Sequence, residues 1–287
     1  MTIAYLNGEY VPLEDAKISP MDRGFLFGDG IYEVIPSYGG KTVGTGLHMT
    51  RFENGLREIG ITIPWSRADL AEIFRELLEQ NGNGSLGIYL QVTRGVTMTR
   101  NHAFPQQTKP TIFAYTFDIP EPDNGDRETV TQWKVTSGRD LRWQRCHIKS
   151  TSLLGNVLHM MEGVGSGAGE IILFDAADNL TEAAACNVFV VTNGVVRTPQ
   201  LDNHKLAGVT RDMALAILRE HSELEVLEEP ISRQEVMAAD EVWLSSSTKE
   251  LEPVVAIDGK AVGIGAPGPV WSQAQALFAA HRFDHFD

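Results

Sequence analysis

Residues 28–38 have the sequence GDGIYEVIPSY, and this stretch decides the predicted fold of the N-terminal half. Its two glycines permit a tight entry, and the alternation that follows Ile31 is typical of a strand with one buried face. Apolar residues recur at helical spacing from His48 to Ile59, and Gly60 then ends the pattern. Strands combined with amphipathic helices predict an α/β or α+β fold.

The same patterns predict strands and helices on both sides of this stretch. Asn7-Gly8, between two apolar runs, predicts a hairpin with a two-residue turn. Strands are expected at 3–11 (as this hairpin), 28–38, 86–93, 111–117, 132–137, 170–175, 187–192 and 241–245. Helices are expected at 48–59, 68–80, 153–163, 211–221 and 270–278.

A polar, proline-bearing segment at 119–126 predicts a boundary between two domains. A chain of 287 residues is long for one core, so two domains are expected. Residues 1–118 would form a small N-terminal α/β domain, and residues 127–287 a larger C-terminal domain.

Composition and charge exclude several classes of protein. The net charge is −14, from 24 basic and 38 acidic residues, and no basic cluster that could neutralise nucleic-acid phosphates is present. Two cysteines, Cys146 and Cys186, are too few for a disulfide framework. The first residues, MTIAYLNGEYVP, lack the features of a secretory leader, and no apolar run is long enough to span a membrane. We therefore expect a cytoplasmic protein without nucleic-acid, membrane or metal partners.

Three segments could bind an anion through a helix start or a run of hydroxyl groups. HMTR at 48–51 places Arg51 in the first turn of a predicted helix, and GVTRD at 208–212 enters another helix through a glycine and an N-cap threonine, Thr210. SSST at 245–248 supplies four hydroxyl groups after an apolar strand. Each of these segments could instead be an ordinary cap or turn.

Three further side chains could carry chemistry. Lys149 lies between a strand and an apolar helix, where burial and a nearby cation would lower the pKa of an amine as a Schiff-base lysine requires. Glu182 precedes a run of small residues that would let a flat ligand approach. Arg100 and His102, in a polar loop, could bind a substrate carboxylate. Each of these positions could also be a solvated loop residue.

In order and spacing, these segments resemble the class IV aminotransferases, the fold-type IV enzymes that use pyridoxal 5'-phosphate. The resemblance runs from Tyr5 to about Gly259. It is carried by DRGFLFGDGIYE at 22–33, HMTR at 48–51, IK at 148–149, LTE at 180–182, NVF at 187–189, GVTRD at 208–212 and SSSTKE at 245–250. It implies a two-domain architecture in which the larger, C-terminal domain has a β-barrel-like core.

The resemblance also implies roles for individual residues. Lys149 would form the Schiff base with the cofactor and shuttle the proton, and Glu182 would pair with the pyridine nitrogen. The other cofactor-binding positions would be Arg51, Ala185, Val209, Thr210, Ser246 and Ser247. Tyr32, Arg100 and His102 would bind the substrate carboxylate, and in a homodimer Arg100 and His102 would complete the partner's site.

The function implied by the resemblance is transamination by a ping-pong mechanism. An amino group would move from a D-amino acid, such as D-alanine, to a 2-oxo acid, 2-oxoglutarate or pyruvate. Branched-chain L-amino-acid or (R)-amine transamination and aminodeoxychorismate-lyase-like chemistry are alternatives within the family. The Arg100–His102 pair separates them, because an amine without a carboxylate does not need it.

Two observations limit the resemblance. Ala183 to Cys186 stand where the family often has glycine and serine, so a contact that needs a hydroxyl group there would be lost. Outside the family, a hydrolase using Cys146 or Cys186 with a histidine, or a catalytically silent binding protein, remains an alternative. Adjacent Cys146 and His147 do not by themselves make a catalytic pair.

Overall fold

The computed structural model describes residues 1–284 and divides the chain into two compact units. The first contains Met1–Glu121 and Ile148–Leu153, and the second contains Pro122–His147 and Leu154–Asp284. The change at Glu121 falls inside the segment 119–126 that was predicted as the linker. Residues 285–287 of the predicted C-terminal domain lie outside the described residues.

In the first unit, helices cover one face of a six-stranded antiparallel sheet. The sheet order is β2-β1-β6-β5-β3-β4. The strands are β1 (Ile3–Leu6), β2 (Glu9–Pro12), β3 (Gly30–Tyr38), β4 (Lys41–Thr42), β5 (Ser85–Thr93) and β6 (Thr111–Asp118). The helices are α1 (Arg23–Phe27), α2 (Thr45–Glu58) and α3 (Arg67–Asn81), after a short 3-10 turn at Leu13–Asp15.

The alternation in β3 produces the predicted two-faced strand. Ile31 and Ile35 are buried and join Leu77 of α3 and Ile88 and Leu90 of β5 in one apolar core. Tyr32 and Val34, which alternate with them, are only partly buried. The hairpin at Asn7-Gly8 is confirmed as β1 and β2, and both of its central residues have positive φ.

The segment Ile148–Leu153 corrects the predicted domain boundaries. We placed it in the C-terminal domain, but it pairs with β3 of the first unit. Tyr32 N donates to Lys149 O at 3.0 Å, Thr151 N donates to Gly30 O at 3.0 Å, and Ile31 forms a β-bridge with Ser150. Lys149 therefore belongs to the first unit, because its backbone satisfies hydrogen-bonding groups at the start of β3.

The second unit is built on a mixed nine-stranded sheet. Its order is β12-β11-β10-β13-β14-β7-β8-β9, with β15 on β14. The strands are β7 (Trp133–Arg139), β8 (Glu170–Phe174), β9 (Leu180–Ala183), β10 (Asn187–Thr192), β11 (Val195–Thr198), β12 (Val226–Glu228), β13 (Glu241–Ser246), β14 (Glu250–Ile257) and β15 (Lys260–Ala261). The helices are α4 (Leu154–Gly165), α5 (Val209–His221), α6 (Arg233–Met237) and α7 (Pro269–His281).

This sheet is curled, as the predicted barrel-like core requires. Its last strand, β9, returns beside β10, where Ala183 N donates to the carbonyl oxygen of Cys186 at 2.8 Å. The side chains inside the curl form a second apolar core, which includes Phe174, Val190 and Leu244. The tight turn between β9 and β10 places Glu182 at the end of a buried strand rather than in a loop.

No helix among residues 1–284 combines the length and apolar character needed to cross a membrane.

Candidate active site

In the first unit, Lys149 lies beside Tyr32. The Nζ atom of Lys149 is 4.2 Å from the centre of the Tyr32 ring, within the range of a cation–π interaction. Tyr32 stacks in turn on Tyr89, with ring centres 5.6 Å apart. The lysine amine is thus held over the partly buried face of the sheet, next to the tyrosine that we predicted to contact substrate.

A buried carboxylate, Glu33, holds two basic side chains next to this lysine. Arg51 donates from Nε and Nη2 to the two oxygens of Glu33 at 2.8 and 2.7 Å, and His48 Nδ1 lies 2.7 Å from Oε2. Burial would raise the pKa of Glu33, but the charge of Arg51 and the hydrogen bonds from Arg51 and His48 lower it to about 2. Burial lowers the pKa of His48 although Glu33 opposes that effect, and the nearby charges of Arg51 and Lys149 lower it further.

The position of Arg51 differs from the one we predicted. Helix α2 begins at Thr45 rather than at His48, so Arg51 lies in its second turn and not at its N-terminus. The helix therefore does not supply the backbone donors that we expected beside Arg51. Glu33 fixes the plane of the guanidinium instead. The sequence did not predict this role, although Glu33 lies in the segment 22–33 that carries the family resemblance.

Arg100 and His102 occur together on an exposed loop of the first unit. The Arg100 guanidinium is 5.0 Å from the centre of the Phe27 ring, and the His102 ring is 5.3 Å from it. Within residues 1–284, no hydrogen bond, ion pair or ring contact joins Arg100 or His102 to Tyr32 or Lys149 of the same chain. The structure thus brings Arg100 and His102 together, but neither of them contacts Lys149 of the same chain.

In the second unit, Glu182 is buried and paired with a buried arginine that sequence reasoning missed. Arg142 Nη1 donates to Glu182 Oε1 at 2.5 Å, while its Nε and Nη2 donate to Asp140 at 3.0 and 2.7 Å. The Arg142 side chain is only 2% exposed. Burial raises the pKa of Glu182 although Arg142 opposes that effect. A further positive charge near Glu182 would therefore be favourable.

Asn187 connects Glu182 to the start of α5. Its Nδ2 lies 3.3 Å from Glu182 Oε2 and 2.9 Å from the carbonyl oxygen of Leu206, whose own N–H donates to Glu182 at 2.9 Å. Gly208 packs so closely against Asn187 that a Cβ there would lie 1.9 Å from Oδ1. A side chain at position 208 would displace the amide that holds Glu182, which explains the glycine.

Val209 and Thr210 form the first turn of α5, and both are buried. The N-cap is Gly208, with no side-chain hydrogen bond, so our expectation of Thr210 as the cap was wrong. A helix N-terminus without a side-chain cap offers its backbone N–H groups to an anion. Arg211, next along the helix, is buried and donates to Glu228 and to the carbonyl oxygen of Pro199.

The remaining positions that were predicted to bind the cofactor lie at two turns of the curled sheet. Ser246 ends β13, and among residues 1–284 its buried Oγ has no hydrogen-bond partner. Ser247 follows in the turn. Ala185 is exposed in the turn between β9 and β10, where Glu170 accepts a hydrogen bond from Ala184 N at 3.2 Å. A carboxylate, rather than serine hydroxyl groups, thus supports this alanine-rich turn.

Both cysteines are unsuited to act as nucleophiles. Burial raises the pKa of Cys146 to about 11 and that of Cys186 to about 12. Catalytic cysteines need a lowered pKa and access to solvent. The hydrolase alternative therefore loses its nucleophile.

Over residues 1–284, no group of three or more His, Cys, Asp or Glu side chains is placed to hold a metal ion.

The family model "Amino-transferase class IV" matches residues 30–257. The chain belongs to the class IV aminotransferases, as its sequence segments predicted.

The individual relatives fall into two groups. The chain is 40% identical over 283 residues to the D-alanine aminotransferase of Staphylococcus haemolyticus, covering 97% of both proteins. Its fold is similar to the branched-chain amino acid aminotransferase of Escherichia coli, with a TM-score of 0.86, 26% identity, and 98% and 94% of the two chains covered. It is also similar to the branched-chain aminotransferase of the thermophilic archaeon Thermoproteus uzoniensis with norvaline, with a TM-score of 0.84, 21% identity, and 99% and 97% covered.

Proposed function

We propose that the protein is a pyridoxal 5'-phosphate-dependent transaminase that moves the amino group of a D-amino acid, such as D-alanine, to a 2-oxo acid. The buried Glu182, held by Arg142, is the observation that carries the chemistry. The direction of specificity rests on the Arg100–His102 pair and on the D-alanine aminotransferases to which the chain is similar over nearly its full length.

The donor set of the second unit fits the cofactor. Burial raises the pKa of Glu182, which means that its ionised form is disfavoured. A protonated pyridine nitrogen beside it would stabilise that ionised carboxylate. The uncapped start of α5 at Val209 and Thr210 suits a phosphate, and the unpartnered Ser246 hydroxyl can donate to one of its oxygens.

The first unit would supply the amine and a cation. When bound, the cofactor would provide the electron sink that makes the Cα proton of an amino acid acidic. Lys149 would attach the cofactor covalently and, once released, accept and return that proton through Nζ. Arg51, oriented by Glu33, would add positive charge for the phosphate, and Ser247 and Ala185 would complete the set of cofactor contacts.

Tyr32, Arg100 and His102 would bind the substrate α-carboxylate. A guanidinium recognises a carboxylate through two parallel N–H donors, and a tyrosine hydroxyl can add a third. Because Arg100 and His102 make no contact with Lys149 in their own chain, we propose that they act on the site of a partner in a homodimer.

Helix α4 supports a homodimer. It exposes apolar side chains along its length, whereas soluble monomers seldom leave a continuous apolar patch uncovered. The exposed residues are Leu154, Val157, Leu158, Met161 and Val164. We expect Leu158→Glu to shift sedimentation from dimer to monomer, while the same change at exposed Ile264 should not. A wild-type monomer with full activity would contradict the dimer.

A coupled assay tests the proposed function. Enzyme loaded with cofactor is given D-alanine, L-leucine or (R)-1-phenylethylamine as the amino donor. Each donor is tested with 2-oxoglutarate as the acceptor, and L-leucine and the amine are also tested with pyruvate. D-alanine should be the best donor. Arg100→Ala should lower kcat/KM for D-alanine by a factor that corresponds to about 2–5 kcal/mol of transition-state stabilisation, the cost of leaving a carboxylate unpaired. A preference for L-leucine that survives Arg100→Ala would favour the branched-chain alternative.

A further inference from the structure

The loop at residues 96–104, here called the arginine loop, is exposed but rests on helix α1. Arg23 of that helix is buried, and its guanidinium donates to three consecutive carbonyl oxygens of the loop. The distances are 2.6 Å to Asn101, 3.3 Å to His102 and 3.4 Å to Ala103. One planar guanidinium therefore fixes the backbone on both sides of His102.

Arg23 is itself held in place by Asp29. Its Nε donates to Asp29 Oδ2 at 2.7 Å, and Arg94 donates to both oxygens of the same carboxylate at 2.8 and 3.0 Å. Burial would raise the pKa of Asp29, but hydrogen bonds from Arg94 and Arg23 lower it. The guanidinium of Arg94 also lies 3.6 Å from the centre of the Phe104 ring, which anchors the end of the loop.

Phe27, the last residue of α1, lies under the functional side chains of the loop. Its ring centre is 5.0 Å from the Arg100 guanidinium and 5.3 Å from the His102 ring. Arg23 lies against the same ring at 4.8 Å. A single aromatic side chain thus contacts both residues that we propose to bind substrate and the arginine that fixes their backbone.

We propose that Arg23 and Phe27 are positioning residues that hold Arg100 and His102 in the conformation that binds the substrate α-carboxylate. The inference rests on the proposed function. Exposed arginine and histidine side chains would otherwise sample many rotamers, and ordering them would weaken each binding event. Arg23 limits the backbone of the arginine loop, and Phe27 limits its side chains, before substrate arrives.

The test compares substitutions at Phe27 and Arg23 in loaded enzyme. Phe27→Leu keeps an apolar side chain but removes the aromatic face, Phe27→Tyr keeps that face, and Arg23→Lys keeps the charge without the planar fork. Phe25→Leu is the matched control, since Phe25 lies on the same helix and is 70% exposed. The measurements are kcat and KM for D-alanine, retention of the cofactor, and hydrogen exchange of the backbone amides of residues 97–104.

Phe27→Leu should raise KM for D-alanine by about two- to fivefold with kcat and cofactor retention unchanged, the loss expected for one exposed cation–π contact. Phe27→Tyr and Phe25→Leu should match wild type. Arg23→Lys should raise KM by about tenfold or more and accelerate exchange in the arginine loop, because the fork to three carbonyl oxygens is lost.

Three results would overturn the proposal. One is a Phe27→Leu enzyme with wild-type KM while Arg100→Ala is impaired. Another is a fall in kcat and cofactor retention together with the rise in KM, which would indicate a general structural role. A third is unchanged exchange in Arg23→Lys. By contrast, a wild-type enzyme that does not use D-alanine would refute the proposed function, and loop exchange would still report whether Arg23 orders the arginine loop.

Discussion

Arg142→Met removes the cation between two buried carboxylates and gives a quantitative test of the site in the second unit. Methionine has a flexible, unbranched side chain that can fill much of the same space, so the main loss is the guanidinium. Asp140 then loses two charge-assisted hydrogen bonds and Glu182 loses one. Both carboxylates are at most 7% exposed, so water cannot replace the arginine without rearrangement.

The expected cost is about 3–5 kcal/mol of unfolding free energy, the range for breaking a buried ion pair by removing one partner. The exposed pair between Arg67 and Glu53 provides the comparison, because its side chains are 48% and 42% exposed. Arg67→Met should cost far less, because solvent screens an exposed ion pair and two long side chains must be ordered to form it.

The pH dependence gives a second signature of the same loss. Without Arg142, burial raises the pKa values of Asp140 and Glu182 above their unfolded values of about 4. A carboxyl group with a raised pKa binds more protons in the folded state, so stability falls as pH rises above about 4. The deficit of Arg142→Met relative to wild type should therefore be larger at about pH 8 than at about pH 5.

Urea unfolding followed by tryptophan fluorescence measures both effects, since Trp133, Trp143, Trp243 and Trp271 belong to the second unit. Adding Glu182→Gln to Arg142→Met should recover part of the loss, because it removes one of the two unpaired charges. The reasoning is refuted if Arg142→Met costs no more than Arg67→Met, or if its deficit does not grow with pH.

Three further predictions concern the first unit. Because the pKa of Glu33 is about 2 rather than 4.5, its contribution of about 3 kcal/mol should be present above pH 4.5 and lost as pH falls toward 2. Melting temperatures of wild type and Glu33→Gln should accordingly converge in acid, and a constant difference would contradict the pairing. Lys149→Ala should fold and show no transaminase turnover; measurable steady-state turnover would remove the lysine from the mechanism. Arg51→Ala should lose cofactor on dialysis, since a charge-assisted contact contributes about 1.5–3 kcal/mol, and retention equal to wild type would leave Arg51 a purely structural role.

The sequence predicted the elements whose periodicity is strong. Helix α3, with its regular apolar spacing, was placed within one residue at each end, and the predicted strand at 187–192 coincides with β10. Strand β14 was missed because Pro253 interrupts its pattern. The structure accommodates this proline because pairing with β7 begins only at Val254, so its missing N–H is not required on that side.

The partners of the candidate site residues were less predictable. Arg142 and Glu182 are 40 positions apart, and no local pattern reports that they pair. The backbone hydrogen bond from Tyr32 N to Lys149 O also joins segments that are distant in sequence. This is why the lysine was assigned to the other unit. The family segments predicted which residues to expect at these positions, whereas the buried charges that surround them depend on tertiary packing.

The most direct test of the central claim is a single turnover without an amino acceptor. Purified enzyme loaded with pyridoxal 5'-phosphate is mixed with D-alanine or with L-alanine, and the pyruvate released and the change in cofactor absorbance are measured together. We expect D-alanine to yield pyruvate equal to the concentration of cofactor-loaded chains, with a matching absorbance change. L-alanine should yield almost none. Equal yields from both enantiomers would contradict D-specificity. If neither enantiomer yielded pyruvate, transamination of alanine would be contradicted.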